Sequence, residues 1–216
     1  MNKRRLGTVL VTTLAAVGAV SVIDTGQAMA APADQTATSR AGVEFTDVPQ
    51  EDALKILAVP DMHFGSHEIN NDTATTATAV DSGTGHTTPG STITTGHTIS
   101  VQDRRSAATA TGWTLNAKIS ASFALEDNSA TIDGATITLQ NGTTTPTTGV
   151  TFGDGSSVTL NDTDTPVLEG SNAAIGTVTT SLTNNDMTLA IPARAVTKAG
   201  VYEAAVTWNL QAVPTL

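Results

Sequence analysis

Two stretches of the chain alternate between apolar and polar residues, 113–123 throughout and 202–210 with Ala205 as the exception. Side chains of a β-strand point to opposite faces in turn, so a period of two predicts a strand with one face buried. Both stretches are therefore predicted strands, and each carries a tryptophan on its apolar side. The predicted apolar faces are Trp113, Leu115, Ala117, Ile119, Ala121 and Phe123 in the first, and Tyr202, Ala204, Val206, Trp208 and Leu210 in the second.

Shorter apolar stretches separated by turn signals predict more strands along the chain. The segment 52–59 reads either as a strand or as a short helix over 51–57, and Pro60 ends it. No strand–helix–strand rhythm is visible, so the prediction is an all-β, antiparallel β-sandwich of Greek-key or immunoglobulin-like type. The further predicted strands are 43–45, 98–103, 131–139, 149–152, 157–160, 175–182 and 187–191.

A threonine- and glycine-rich segment covers residues 70–97. Its four glycines and one proline in 83–96 and its lack of clear alternation predict loops and allow one short strand. Such a segment is either surface elaboration or a place where a partner is contacted. Residues 192–198 predict one helical turn or a plain connection.

The first 30 residues have the pattern of a secretory signal peptide. A basic start precedes a largely apolar run at 6–23, and Ala28-Met29-Ala30 provides a cleavage site of small residues. An uncleaved membrane anchor is the alternative. The domains expected from the sequence are the signal peptide 1–30, a flexible leader 31–42 and one folded domain 43–216, with no later membrane span.

Charge and cysteine content narrow the classes of partner. The chain has a formal net charge of −10, and removal of residues 1–30 leaves 7 Lys and Arg against 19 Asp and Glu, or −12. This charge argues against nucleic acids and other polyanions, and it suits a neutral or cation-bearing glycan or a basic protein. The chain has no cysteine, which excludes disulfides and thiolate chemistry.

The two tryptophan segments resemble the WxL family of surface proteins from low-GC Gram-positive bacteria. The later one has the distal pattern Y-x-x-x-x-x-W-x-L, and the earlier one has the proximal G-W-x-L pattern with a V-x-D sequence before it. The sequence departs from the family at Met62-His63-Phe64-Gly65, where L-D-F-G is common. The residues that carry the resemblance are Val101, Asp103, Gly112, Trp113, Leu115, Tyr202, Trp208 and Leu210.

The resemblance implies a non-catalytic protein of the small, single-domain WxL type that is held to the cell wall by binding peptidoglycan. In the family both W-x-L motifs are implicated in wall attachment. It also implies protein partners, namely a membrane-anchored WxL-interacting protein and larger WxL proteins. The alternative function is a subunit of a surface assembly, or an adhesin that binds partner or host proteins.

The motif residues Trp113, Leu115, Tyr202, Trp208 and Leu210 have two interpretations. The tryptophans either stack on sugar rings or belong to the core. Their place on the apolar faces favours the core, because burying one aromatic side chain removes about 150–250 Å² from water. The tyrosine is expected to act as in a tyrosine corner, where its hydroxyl bonds the nearby backbone.

Polar residues next to the motifs are the candidate contacts to the wall. They are Asp103, Arg104, Asn116 and Asn209. For Asp103, beside Arg104-Arg105, a salt bridge or a turn-stabilising carboxylate is the favoured alternative.

Metal and catalytic signals are weak. His63, His67 and Glu68 lack a second cluster to complete a site, and residues 161–164 (N-D-T-D) lack the glycine and glutamate of an EF-hand. No G-x-S-x-G or H-E-x-x-H motif is present. The sequence is therefore expected to need no metal or cofactor and to be no enzyme.

Overall fold

The computed structural model describes residues 42–44, 46, 49–85, 92–106 and 110–213. The chain divides into Met1–Glu44 and Phe45–Leu216. In the first unit, residues 42–44 are exposed and outside regular structure. The predicted signal peptide 1–30 and residues 31–41 of the predicted leader lie outside the described residues. The predicted strand 43–45 is not formed at Val43 and Glu44, and its last residue lies outside the described residues. All helices and strands of the described residues belong to the second unit.

The second unit is built from strands, as the alternating pattern predicts. No helix in the described part of the chain is long and apolar enough to cross a bilayer. The elements in chain order are α1 (Gln50–Ala53), β1 (Leu54–Ala58), β2 (Thr75–Thr78), β3 (Ser82–Thr84), β4 (Thr92–Thr94), β5 (Thr98–Asp103), β6 (Trp113–Leu125), β7 (Thr131–Ile132), β8 (Thr136–Gln140), β9 (Thr143–Thr145), β10 (Val150–Phe152), β11 (Ser157–Leu160), β12 (Thr165–Gly170), β13 (Gly176–Ser181), a 3₁₀ turn (Asn184–Asp186), β14 (Met187–Ile191) and β15 (Tyr202–Ala212).

The strands form three larger antiparallel sheets and one hairpin. The first sheet has the order β1-β5-β13-β9, and the second has the order β10-β12-β6-β15 with β7 paired to β6. The third has the order β11-β8-β14-β2, and β3 and β4 form the hairpin. Sheet neighbours are mostly distant in sequence, as in Greek-key connections. The prediction of an all-β antiparallel sandwich is confirmed. The second sheet, which holds both W-x-L segments, is called the motif sheet from here on.

Where the apolar alternation is strong, the predicted strands are confirmed. The two tryptophan strands extend slightly beyond their predicted ends, as β6 and β15. For the segment 52–59 the sequence allowed either a strand or a short helix. Both are present, because the helix α1 leads directly into the strand β1. Residues 192–198 form a connection without a helix.

The prediction of one strand over 131–139 is wrong, because a turn at Asp133-Gly134 splits it into β7 and β8. Gly134 has a φ of 71°, which a strand residue cannot adopt. β12 is not predicted at all, since Pro166 argues against a strand inside a sheet. The strand accommodates the proline at a bulge between Pro166 and Leu168.

The prediction of long loops over 70–97 is also wrong. The segment contains β2 and the hairpin of β3 and β4, and Ala77 in β2 is buried against the core. Threonine explains the miss. Its β-branched side chain favours extended backbone, yet β2 reads T-T-A-T and offers no large apolar residue to mark the buried face.

One hydrophobic cluster joins the three sheets. The first sheet supplies Ile99 and Val101, and the third supplies Leu139 and Met187, all of them fully buried. Trp113 of the motif sheet is the largest side chain among the fully buried ones, at 0% exposure. The core therefore depends on the first W-x-L segment.

We expect Trp113→Ala to lower the free energy of unfolding by about 3–5 kcal/mol, because it deletes a large buried side chain and leaves a cavity. Urea unfolding followed by circular dichroism measures the loss. The matched control is Thr151→Ala, at an exposed position of the same sheet, with an expected change below about 0.5 kcal/mol. A Trp113→Ala protein as stable as the control would show that the indole is not a core element.

Candidate functional site

The two W-x-L segments lie side by side in the motif sheet, on the internal strand β6 and the edge strand β15. β6 and β15 pair antiparallel over nearly their whole length, and Leu115 stands directly opposite Leu210. Trp113 stands opposite Ala212, and Trp208 stands opposite Ala117. The two motifs are thus one paired unit, with leucine against leucine and each tryptophan against an alanine.

Trp113 is enclosed on every side. Its indole Nε1 donates a hydrogen bond to the carbonyl oxygen of Ala174 at 3.4 Å. Its ring covers Gly170 of β12 so closely that a Cβ there would lie 2.2 Å from the indole. Only glycine fits beneath the ring. The core interpretation therefore holds for the first tryptophan.

Trp208 has a different environment, although it occupies the same face of the same sheet. It is only partly buried, packing against the edge of the core. Its other side lines an open groove of about 940 Å³. The two tryptophans therefore belong to different surroundings, and Trp208 is the one that a ligand can reach.

The groove has an apolar floor and a partly polar rim. Phe123, Ile137 and Ile191 are among its floor residues, and β15 contributes Tyr202, Ala204, Val206 and Trp208. The segment 59–70 and the hairpin of β3 and β4 form further walls. The threonine- and glycine-rich segment 70–97 therefore shapes the groove.

The segment M-H-F-G, where the sequence departs from its family pattern, forms part of that wall. His63 packs against Gly83 of the hairpin and forms an isolated bridge with Val80. Its Nδ1 accepts a hydrogen bond from the backbone N–H of Gly65 at 2.9 Å. The imidazole thus tethers the segment 59–70 to the hairpin and keeps one side of the groove in place.

His67 lies on the exposed rim, and its Nε2 donates to the carbonyl oxygen of Phe64 at 2.6 Å. With His63 and Glu68 it lines the groove. Among the residues that the structure describes, no group of three or more potential metal ligands comes together. The N-D-T-D stretch is a turn in which Asn161 Oδ1 accepts the backbone N–H of Thr163 at 2.8 Å.

Tyr202 opens β15 and lines the groove with its ring. Its hydroxyl donates to the carbonyl oxygen of Lys198 at 2.8 Å, four residues upstream. This is the backbone contact expected of a tyrosine corner. It fixes the turn through which the chain enters the last strand.

Asp103 is unavailable to any ligand, because it is buried at 1% exposure. Its carboxylate accepts hydrogen bonds from Arg105 Nε at 2.9 Å and Nη2 at 2.7 Å, and from the Arg105 backbone at 3.0 Å. The favoured alternative from the sequence, a salt bridge that also stabilises the turn, is what the structure contains. Hydrogen bonding to this carboxylate raises the pKa of Arg105.

The pair supports the first motif. Arg105 Nη2 also donates to the carbonyl oxygen of Gly112 at 2.9 Å, directly before Trp113. Gly112 has a φ of 89°, and its carbonyl also accepts from Val213 just after β15. One guanidinium therefore joins the ends of β5, β6 and β15.

The other polar candidates lie away from the groove. Asn116 and Asn209 stand opposite each other in the sheet, on the face that points away from the core, and Arg104 is exposed beside the buried pair. The structure does not bring these three residues together with the groove around Trp208. No local sequence pattern marks the groove, because it forms between segments that are far apart in the chain.

Comparison with known families identifies the chain. The family model described as WxL domain, surface cell wall-binding, matches residues 22–214. The chain belongs to the WxL family. It is accordingly a surface protein with a cell wall-binding domain. No curated protein and no solved structure matches it.

For this WxL domain we expect Asp103→Ala to lower the free energy of unfolding by about 2–4 kcal/mol, because it leaves the guanidinium of Arg105 without its buried partner. Chemical denaturation measures the change. Arg104→Ala, at the exposed neighbouring position, is the control and should change stability by less than about 0.5 kcal/mol. Equal stabilities of the two variants would contradict a supporting role for the ion pair.

Proposed function

We propose that the protein is secreted and binds the peptidoglycan of a Gram-positive cell wall without covalent attachment, with the groove around Trp208 as the glycan site. The observation that carries the proposal is the difference between the two tryptophans. Trp113 is at 0% exposure, whereas Trp208 is partly exposed in a groove of about 940 Å³. A wall-binding domain needs an accessible surface, and this groove is lined by a motif residue.

The chemistry of the groove suits a sugar polymer. A sugar ring has an apolar face of C–H groups and a rim of hydroxyls. The indole of Trp208 and the ring of Phe123 offer flat apolar surface, and His67 and Glu68 on the rim offer polar groups. The net charge disfavours polyanionic wall polymers, as the same charge disfavours nucleic acids.

Secretion follows from the predicted signal peptide, residues 1–30, and places the protein on the outside of the cell. From the family we propose two kinds of protein partner, a membrane-anchored WxL-interacting protein and larger WxL proteins. The acidic surface, at −12 without the first 30 residues, favours partners with basic surfaces.

We propose binding without catalysis. The resemblance to the WxL family implies a non-catalytic module. In the groove wall, His63 Nδ1 already accepts from Gly65, and His67 Nε2 already donates to Phe64. Their hydrogen bonds stabilise the wall of the groove, which supports a structural role for both residues.

We expect Trp208→Ala to weaken binding to purified Gram-positive sacculi at least about tenfold, or about 1.4 kcal/mol. Its stability loss should be smaller than that of Trp113→Ala, at about 1–3 kcal/mol, because the side chain is only partly buried. Sedimentation of the protein with sacculi measures binding, and a thermal melt checks the fold.

The matched control is Asn209→Ala, the next residue on the opposite face of the same strand. It should sediment like the wild type. A folded Trp208→Ala protein that also sediments like the wild type would remove the groove as the site. Failure of the wild type to sediment with any sacculus, or release of soluble muropeptides by it, would contradict the proposed function itself.

A further inference from the structure

The strand that carries the second motif lies at an edge of its sheet. β15 is the last strand in the order β10-β12-β6-β15, and within the described part of the chain it pairs with β6 alone. Its 11 residues make it far longer than the edge strand β10 on the other side, which has 3. An edge strand presents a row of backbone groups that another strand can pair with.

Two hydrogen bonds show which residues present those groups. The N–H of Val213 donates to Gly112 at 3.2 Å, so Val213 faces β6. The N–H of Ile119 donates to Asn161 at 2.6 Å, so Ile119, opposite Val206, faces away from β15. Backbone groups alternate along a paired strand. The N–H and C=O groups of Val206, Trp208, Leu210 and Ala212 therefore point to the open edge.

The two W-x-L segments differ in the number of strands that are hydrogen-bonded to them. By the same alternation, the backbone groups of Trp113 and Leu115 point to β12, where Gly170 and Leu168 stand opposite them. The first W-x-L segment thus has a strand on each side. The second has β6 on one side and, among the described residues, no hydrogen-bonded strand on the other, although β1 lies in contact with β15.

Residues 206–212 of this edge lack the features that usually protect an edge strand. Natural edge strands are usually short, or they carry charged residues such as lysine, or they contain proline. Each of these features prevents pairing with further strands. Residues 206–212 read V-T-W-N-L-Q-A and contain neither proline nor a charged residue. β1, an edge strand of the first sheet, carries Lys55. An unprotected long edge is consistent with an edge that is used.

We infer that β15 pairs antiparallel with β15 of a second copy of the chain. Within one chain, the motifs pair with leucine opposite leucine and each tryptophan opposite an alanine. β15 can form the same kinds of pair with β15 of a second copy. When Leu210 stands opposite Leu210 of the second copy, Trp208 stands opposite Ala212 and Ala212 opposite Trp208.

This register pairs the backbone groups at the open edge of β15, and it places no like charges opposite each other within residues 206–212. The pairs centred on Leu210 join edge-facing residues only, so each pair exchanges two hydrogen bonds. On the outer face, Asn209 stands opposite Gln211 of the second copy, and both are neutral amides. The acidic charge of each copy lies outside this segment, and salt screens it beyond about 8 Å at physiological ionic strength.

The pairing leaves the proposed wall-binding groove accessible in each copy, so the dimer has two such grooves. Side chains of directly paired residues lie on the same face of a sheet. The two Trp208 side chains, and with them the two grooves, therefore face the same side of the joined sheet. A dimer of this kind holds a polymer at two points, which raises its apparent affinity without any new contact.

The test exploits the absence of native cysteine. Asn209→Cys and Gln211→Cys proteins are prepared separately, and both positions are exposed. Directly opposite residues that are not hydrogen-bonded lie about 4.5 Å apart at Cα, within disulfide range, whereas diagonal neighbours lie about 7–8 Å apart. A mixture of the two variants under mild oxidation should give about tenfold more covalent dimer than either variant alone.

Thr151→Cys, at the exposed opposite edge of the same sheet, is the control and should add no cross-link. Ala212→Pro removes one edge-facing N–H without touching β6, so it should weaken the dimer seen by analytical ultracentrifugation while the melting temperature stays within a few degrees. A wild-type protein that stays monomeric into the high micromolar range overturns the inference. So does a monomer whose β15 amides gain hydrogen-exchange protection only from sacculi or another protein, which would assign the edge to that partner.

Discussion

The pairing of β6 with β15 is the interaction on which the rest of the structure depends. It joins two segments whose tryptophans are 95 residues apart in the sequence, and it gives the motif sheet its longest ladder. The inner face of that ladder supplies Trp113 and Leu115 to the core shared by all three sheets. The Asp103–Arg105 pair fastens one end of the ladder, and the hydroxyl of Tyr202 fastens the other.

The same ladder explains why one short motif has two different environments. In β6 the motif has strands on both sides, so its tryptophan is sealed in the core and its burial contributes to stability. In β15 the motif stands at an edge and beside a groove, so its tryptophan is partly exposed and its backbone is available. Position in the sheet, rather than the motif itself, decides whether the tryptophan is buried or partly exposed.

Much of the fold could be predicted wherever large apolar residues alternate, as in β6, β15 and β5. Prediction failed where the local signal was absent or misleading. β2 has threonine where a strand usually shows valine or isoleucine, β12 contains Pro166, and Gly134 interrupts an otherwise regular alternation. In each case contacts with distant strands override the local preference, because the energy of a sheet comes from cross-strand neighbours.

The sequence by itself determined the all-β class, the family and the inward face of each tryptophan, because alternation and motif spacing are local properties of the chain. Only the tertiary structure decided that the indole of Trp113 is buried against Gly170 while Trp208 borders a groove. It also decided that Asp103 is buried in an ion pair with Arg105. The physical reason is that burial depends on what packs against a face. For both tryptophans those neighbours come from segments remote in sequence, which no local pattern records.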